Sequence, residues 1–212
     1  MPRDPSRRSR NPRRERPSAA RPAAPRLALH GNPAIGEGEA RLERRIGVAV
    51  IGVATLLMLI VALGPHRIGD YFAETDFYGD YARGARLIQH GRLIPTRYGV
   101  VGPVYELVLA LVGLVVRDLF LAAKLISVAG AAASLWLWFR LLARRAGTRL
   151  ALAAVLFIAT NGFFFRYGNS ATTDTLANGL QAAALCVLLA SAGARAPLAA
   201  GLLAALAFLT RY

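Results

Sequence analysis

An uninterrupted apolar run from Ile46 to Leu63 most limits what this chain can fold into. Its sequence, IGVAVIGVATLLMLIVAL, holds 18 residues and no charge. A helix of that length spans a hydrocarbon core of about 30 Å. A secretory signal peptide is a competing interpretation, but the run begins 45 residues into the chain and no A-x-A-like site follows it. We therefore interpret it as a retained membrane anchor.

The segment before this run, residues 1–45, has the opposite character. It holds 12 Arg, five acids and many Pro and Ser, without apolar periodicity. Such a composition cannot bury a core, so a disordered basic tail is predicted. The charge could attract nucleic acid or anionic lipid, but Lys and Arg also collect on the cytoplasmic side of membrane proteins. We favour a cytoplasmic tail that sets orientation, and no nucleic-acid partner.

Cysteine and histidine usage gives no support to disulfide or zinc chemistry. The single cysteine, Cys186, lies within an apolar stretch, so it has no partner for an internal disulfide or a thiolate cluster. The histidines His30, His66 and His90 are scattered singly.

Arginine distribution indicates which of the later apolar runs cross the membrane. These runs are Val104–Val116, Leu119–Phe139, Leu150–Phe165, Thr175–Ala192 and Ala196–Thr210. The first rises only about 20 Å as a helix, which is too short to span. Residues 140–149 carry four Arg and no acid, so the positive-inside rule places them in the cytoplasm with the tail. Only one crossing can then precede Arg140, and Val104–Val116 should lie on or dip into the outer face.

The sequence therefore predicts an all-α, polytopic membrane helix bundle over residues 46–212. About five spans are expected, with amphipathic helices in the first external loop. That loop, residues 64–118, holds six Arg and six acids, and such a balance suits an external position. Asp76, Asp80 and Asp174 then share the non-cytoplasmic side.

The first-loop acids lie on a predicted helix from Asp76 to Gly91 at the membrane surface. Asp76 and Asp80, at i and i+4, share a face, and Arg83 can pair with Asp80. Plainer roles are open: Asp76 and Asp174 suit helix caps, and Asp80 suits a solvated ion pair. Three acids at the ends of different elements on one side can also converge into a site.

Two polar features lie inside the predicted spans. Lys124 is about five residues into its span, where a cation is costly unless it pairs, faces a cavity or snorkels to the headgroups. Asp174, Asn178 and Gln181 fall at i, i+4 and i+7, which predicts a polar stripe facing the bundle or a wet cleft. Interhelical hydrogen bonds would explain this stripe equally well.

Several segments, in this order, resemble the N-terminal part of GT-C superfamily glycosyltransferases, close to glycosyltransferase family 39 and the protein O-mannosyltransferases. They are DFYGDYARGARLIQHG (76–91), GPVYELVLALVG (102–113), LAAKLISVAGA (121–131), LARRAG (142–147) and FFFRYGNSATTDTLA (163–177). The resemblance covers residues 46–212. Family members are longer and have more spans, so we expect a fragment of the full enzyme.

The resemblance implies roles for individual residues. The first-loop aspartate of the family is the catalytic base, and Asp76 matches it, with Asp80 as a second candidate. Lys124 and Arg166 match the cations that meet the lipid phosphate, although relatives usually carry Arg at the first position. The family also differs at two sites: relatives often have Asp-Glu at 76–77 and Pro-Pro at 102–103.

Three residues are assigned supporting roles: Asp174, Glu106 and Asn178. Asp174 matches the acid of the next external loop, where it would orient Arg166 or help hold a divalent metal. Asp76 and Asp174 are the candidate ligands for such a cation, and whether one is required is left open.

These features predict an inverting membrane glycosyltransferase of the bacterial plasma membrane, with its site facing outward. It would move a sugar from a polyprenyl-phosphate donor to a protein or glycan acceptor. A non-catalytic membrane subunit or a truncated pseudo-enzyme is the alternative, in which the acids are caps and the polar stripe joins helices. A transporter would show broken midplane helices or a repeat between halves, and the sequence indicates neither.

Overall fold

The computed structural model describes residues 37–66, 74–99, 102–190 and 193–211, and every element in these ranges is helical. The α-helices are α1 (Glu37–Leu63), α2 (Ala82–Gln89), α3 (Val104–Val115), α4 (Leu119–Arg145), α5 (Thr148–Ala159), α6 (Gly162–Asn169), α7 (Asp174–Ala190) and α8 (Ala196–Arg211). A π-helical turn, Phe77–Tyr81, precedes α2, and a 3-10 turn, Pro95–Gly99, precedes α3. The predicted all-α class is confirmed for these residues.

Helix α1 begins earlier than the sequence predicted. Residues 37–45, assigned to the disordered tail, form its first turns, and Glu39 and Glu43 both pair with Arg149 at the start of α5. The remainder of the predicted tail, residues 1–36, lies outside the described residues.

Two helices, α1 and α4, are long and apolar enough to cross a membrane, and α5 with α6 makes a third candidate if the pair forms one span. Helices α7 and α8 are apolar but shorter, with 17 and 16 residues. The prediction of about five spans is therefore supported only in part.

The run predicted as one span, Leu150–Phe165, is broken. Helices α5 and α6 meet at an angle of 67°. The break falls at Thr160 and Asn161, because the Asn161 side chain accepts a hydrogen bond from the Phe164 N–H at 3.0 Å and so starts a new helix. The sequence Thr-Asn-Gly favours the start of a helix, but a hydropathy pattern does not reveal it. A broken helix, which the sequence did not predict, is therefore present.

Helix α4 lies at the centre and packs against α1, α5 and α7. Its crossing with α7 is close because both helices carry glycine there. A Cβ added to Gly130 would lie 2.7 Å from the Thr175 backbone, and Gly179 faces the Gly130 carbonyl. Thr175 Oγ1 on α7 donates a hydrogen bond to the Ser127 carbonyl on α4 at 2.9 Å. Ser127 Oγ donates to the carbonyl of Thr172, just before α7, at 3.1 Å. Small residues at helix crossings allow this approach.

The bundle has two chemically distinct ends. At one end, which we call the arginine end, the start of α1 meets residues 140–149 through Arg149. At the other, the loop end, Lys124 near the start of α4 reaches the last turn of α1. The acids of the first loop lie at the loop end, because Lys124 bonds the carbonyl of His66 there and Glu74 bonds Ala171, just before α7.

Helix α3 stays at the loop end and does not run through the bundle. Gly102, just before it, lies against the Leu209 backbone near the end of α8, and α3 is followed at once by Asp118 and the start of α4. Helix α2 runs alongside it, with Gln89 Nε2 donating to the Ala110 carbonyl at 3.0 Å. The apolar face of the first-loop helix, Phe77, Tyr81 and Ala85, packs on α3 and α4. This side of the helix is covered by protein, while Tyr78 on the same helix is exposed. The predicted position of the helix at the membrane surface stays a prediction.

Candidate functional site

Asp76 lies at the loop end, directly before the π-helical turn, with its side chain exposed. The capping role that its sequence position allowed is not observed, since the described residues include no capping hydrogen bond from its carboxylate.

The phenol of Tyr81 is influenced by Asp76 and by residues at the start of α7. Burial raises the pKa of Tyr81, and the negative charges of Asp76 and Asp174 raise it further. The side chains of Thr173 and Arg211 act on this pKa in the opposite direction. Both carboxylates therefore act on the ionisation of one phenol. The convergence of these acids into a site stays a prediction.

Asp80 belongs to a separate polar cluster that joins the π-helical turn, the 3-10 turn and α3. Arg97 Nη2 lies 3.1 Å from Asp80 Oδ1 and 3.2 Å from Glu106 Oε1, so one guanidinium joins both carboxylates. Arg97, not Arg83, is therefore the ion-pair partner of Asp80. Because its carboxylate is already paired, Asp80 is less suited than Asp76 to accept a proton.

Glu106, which the sequence gave a supporting role, is buried and fully engaged. Tyr98 Oη donates to Glu106 Oε2 at 2.8 Å, and the other oxygen meets Arg97. Burial, followed by the contact with Glu106, raises the pKa of Tyr98 to about 12. The carboxylate fits only because residue 84 is glycine: a Cβ there would lie 1.9 Å from Glu106 Cδ. Glu106 therefore holds the two first-loop helices together.

Asp174 is the first residue of α7, and its carboxylate accepts a hydrogen bond from the Arg211 guanidinium at the end of α8. The predicted orienting partner, Arg166, is an exposed residue of α6. The sequence could not have identified Arg211, since the pairing depends on α7 and α8 returning as a hairpin.

Lys124 is buried, and its position differs from that of a snorkelling lysine. Its Nζ donates hydrogen bonds to the carbonyl oxygens of Ala62 and of His66, the latter at 2.7 Å, and lies 4.6 Å from the Phe120 ring centroid. These carbonyls belong to the end of α1, where a cation also complements the helix dipole. Lys124 thus links α4 to the end of α1 through hydrogen bonds at the loop end.

Glu74 is the functional candidate that sequence reasoning missed. Its side chain is fully buried, lies 2.9 Å from His66 Nε2, and accepts a hydrogen bond from the Ala171 N–H at 2.5 Å. It therefore joins the end of α1, the first loop and the loop before α7. The sequence shows Glu74 two residues before Asp76. That position does not reveal whether the Glu74 side chain is buried or exposed to solvent.

The predicted polar stripe on α7 is only partly covered. Asn178 is half-buried, whereas Gln181 is exposed. The buried face of α7, which includes Thr175, Gly179 and Ala182, is the one that meets its neighbours. Gln181 therefore does not face the interior of this bundle.

A metal role for Asp76 and Asp174 gains no support from the geometry. Within the described ranges, no group of three or more His, Cys, Asp or Glu side chains is arranged to hold a metal ion.

No protein-family model matches the chain, and comparisons with curated proteins and with solved structures likewise give no match.

Proposed function

We propose that this chain forms the N-terminal part of a membrane glycosyltransferase that moves a sugar from a polyprenyl phosphate to a protein or glycan acceptor. In this proposal the chain is a multi-pass protein of the plasma membrane, with the arginine end in the cytoplasm and the loop end outside. The observation that carries the proposal is the exposed Asp76 carboxylate, which shares the loop end with Asp174 and lies opposite the arginine-rich segment. The resemblance to GT-C enzymes supplies the reaction.

Asp76 would act as the general base. The acceptor hydroxyl attacks the anomeric carbon from the face opposite the phosphate, and its proton passes to the carboxylate as the new C–O bond forms. The bond from the sugar to the donor phosphate breaks in the same step, which inverts the configuration at that carbon. Both carboxylates are exposed, but Asp80 is bound to Arg97, so Asp76 suits this role better.

The leaving phosphate needs positive charge at the membrane boundary. A fixed cation there stabilises developing negative charge more than water does. Of the two predicted cations, Arg166 is exposed on α6, while Lys124 is buried beneath the loop and binds carbonyl oxygens. Arg166 is therefore assigned the direct contact with the phosphate, and Lys124 the support of the end of α1.

The test uses membranes that contain the full-length protein and a panel of radiolabelled polyprenyl-phosphate sugars. Asp76→Asn removes the base while keeping the size of the side chain, and it should abolish transfer to endogenous acceptors without loss of membrane insertion. Glu39→Gln, an exposed acid at the arginine end, is the matched control and should transfer normally. Normal transfer by the Asp76→Asn protein would exclude Asp76 as the base.

The competing proposal is a non-catalytic membrane subunit. It is favoured by the structural use of three predicted site residues: Lys124 binds carbonyls, Asp174 binds Arg211 and Glu106 joins α3 to the 3-10 turn. The panel assay separates the two, because a subunit without catalytic activity gives no transfer with any donor, even in the wild type.

A further inference from the structure

Two grooves flank α4 at the arginine end, and the same two arginines line both. One groove, of about 210 Å³, lies between α4 and α7 and includes Leu137 and Cys186. The other, of about 340 Å³, lies between α4 and α1 and includes Trp136 and Phe139. Arg140 and Arg144, one helical turn apart, border each groove. The walls below them are apolar.

The positive charge beside these grooves is not neutralised by neighbouring acids. Glu39 and Glu43 both form ion pairs with Arg149, with N–O distances of 3.4 Å and 2.5 Å. The Arg145 guanidinium instead donates a hydrogen bond to the Leu189 carbonyl. No acid in the described part of the chain pairs with the three arginines that border the grooves, Arg44, Arg140 and Arg144.

An amphiphile with an anionic head matches this arrangement. Guanidinium groups bind phosphate oxygens in pairs, and apolar grooves between helices suit acyl chains. The Trp136 ring, 40% exposed, lies 6.0 Å from the Arg140 guanidinium, as expected of an aromatic residue at headgroup level. A soluble anion could use the arginines but would leave the apolar walls unused.

We propose that Arg140 and Arg144, together with Arg44, bind the phosphate of an anionic phospholipid whose acyl chains lie in the two grooves beside α4. Basic pockets between helices on the cytoplasmic side of membrane proteins recognise such headgroups. This site requires insertion in a bilayer and is independent of sugar transfer at the opposite end.

Cys186 provides a direct probe, because it is the only cysteine of the chain and lines the first groove. The purified full chain is reconstituted in vesicles of phosphatidylcholine, alone or mixed with phosphatidylglycerol, and alkylation of Cys186 by N-ethylmaleimide is timed. Alkylation should be severalfold slower in the mixed vesicles. Inorganic phosphate added to the phosphatidylcholine vesicles should give no protection. Equal rates in both vesicles, or protection by phosphate alone, would overturn the proposal.

Two double variants separate a bound lipid from general surface attraction. Arg140→Gln with Arg144→Gln removes the site, whereas Arg45→Gln with Arg195→Gln removes the same charge from exposed positions at the same end that border neither groove. Phosphatidylglycerol retention, measured by native mass spectrometry, should fall roughly thirtyfold in the first variant, or about fivefold per arginine, and little in the second.

Folding of the first variant is checked by its far-ultraviolet circular dichroism and its unfolding midpoint, which should match those of the wild type because both arginines are exposed. Its alkylation in mixed vesicles is compared with its own rate in phosphatidylcholine, because the loss of two positive charges from the groove slows the thiol in both kinds of vesicle. In mixed vesicles this variant should lose the protection of Cys186. Equal loss of lipid by both double variants would show diffuse attraction and contradict a defined site. Sugar transfer is not measured, so this result is independent of the proposed enzymatic activity.

Discussion

The carboxylate of Glu74 accepts a hydrogen bond from the backbone N–H of Ala171, 97 residues further along the chain, at 2.5 Å. The same carboxylate meets His66 at the end of α1. One buried acid thus fixes the position of the loop that precedes Asp174 relative to the segment that carries Asp76. The candidate site depends on this link, because its two carboxylates lie on different elements.

Replacing Glu74 with Ala should destabilise the folded protein by about 3 kcal/mol, since it leaves the Ala171 N–H and the His66 ring without their buried partner. The measurement is the midpoint of unfolding in a denaturing-detergent titration of the full chain. Glu39→Ala is the control, because Glu39 is exposed and its pair with Arg149 is of the surface type. Equal midpoints for the two variants would show that the Glu74 link contributes nothing.

Adding a methyl group at Gly84 should separate α2 from α3. The new Cβ would overlap the Glu106 carboxylate, which must then leave Arg97 and Tyr98, at a cost of about 1–3 kcal/mol. Gly79→Ala is a matched control a few residues away, because a Cβ there meets nothing within 4 Å. The same unfolding titration should shift for Gly84→Ala alone. A shift of equal size in both variants would indicate a general cost of the helix and not a clash with Glu106.

The crossing of α4 and α7 should be equally sensitive at Gly130. Gly130→Ala places a carbon 2.7 Å from the Thr175 backbone, so the helices must move apart and weaken the hydrogen bond from Thr175 Oγ1 to the Ser127 carbonyl. We expect a loss of about 1–3 kcal/mol in the unfolding titration. Gly201→Ala on α8, which has open space around it, should be close to neutral. A neutral Gly130→Ala would mean that the helices do not pack this closely.

The Tyr98 phenol should ionise at a higher pH in the folded protein than in the unfolded chain. Its pKa is raised to about 12 from the ordinary value of 10, so the stabilisation by its neutral form is complete below about pH 10 and disappears as the pH rises through 12. Ultraviolet titration of phenolate absorbance, with Tyr98→Phe as the reference, isolates this group. The difference between the two curves should be centred near pH 12. A centre near pH 10 would contradict the hydrogen bond to Glu106.

The helical class and the two ends of the bundle were predictable because they depend on local hydropathy and on where arginines collect. Length and charge predicted that the short run Val104–Val116 does not span, and α3 has both of its ends at the loop end. Its position relative to a membrane stays a prediction. These conclusions need no knowledge of which side chains meet. The number of spans was less predictable, since Asn161 starts a new helix within an apolar run.

Pairings between distant segments were not predictable. Arg97 was a loop residue with no local partner, and the sequence favoured the nearer Arg83 for Asp80. Lys124 was correctly identified as unusual, but its partners are backbone carbonyls, which no residue pattern reveals. Arg211 and Glu74 act through contacts that exist only once the helices have packed.

The proposed function requires the loop end and the arginine end of the bundle to lie in different aqueous compartments. The most direct measurement replaces Cys186 with Ser and introduces Gly79→Cys at the loop end or Gly193→Cys at the arginine end, since a Cβ at either glycine meets nothing within 4 Å. Intact cells that express the full-length protein are treated with a membrane-impermeant maleimide. The account predicts labelling of Cys at position 79 in intact cells, and of Cys at position 193 only after permeabilisation. Labelling of both positions in intact cells, or of position 193 alone, would contradict it.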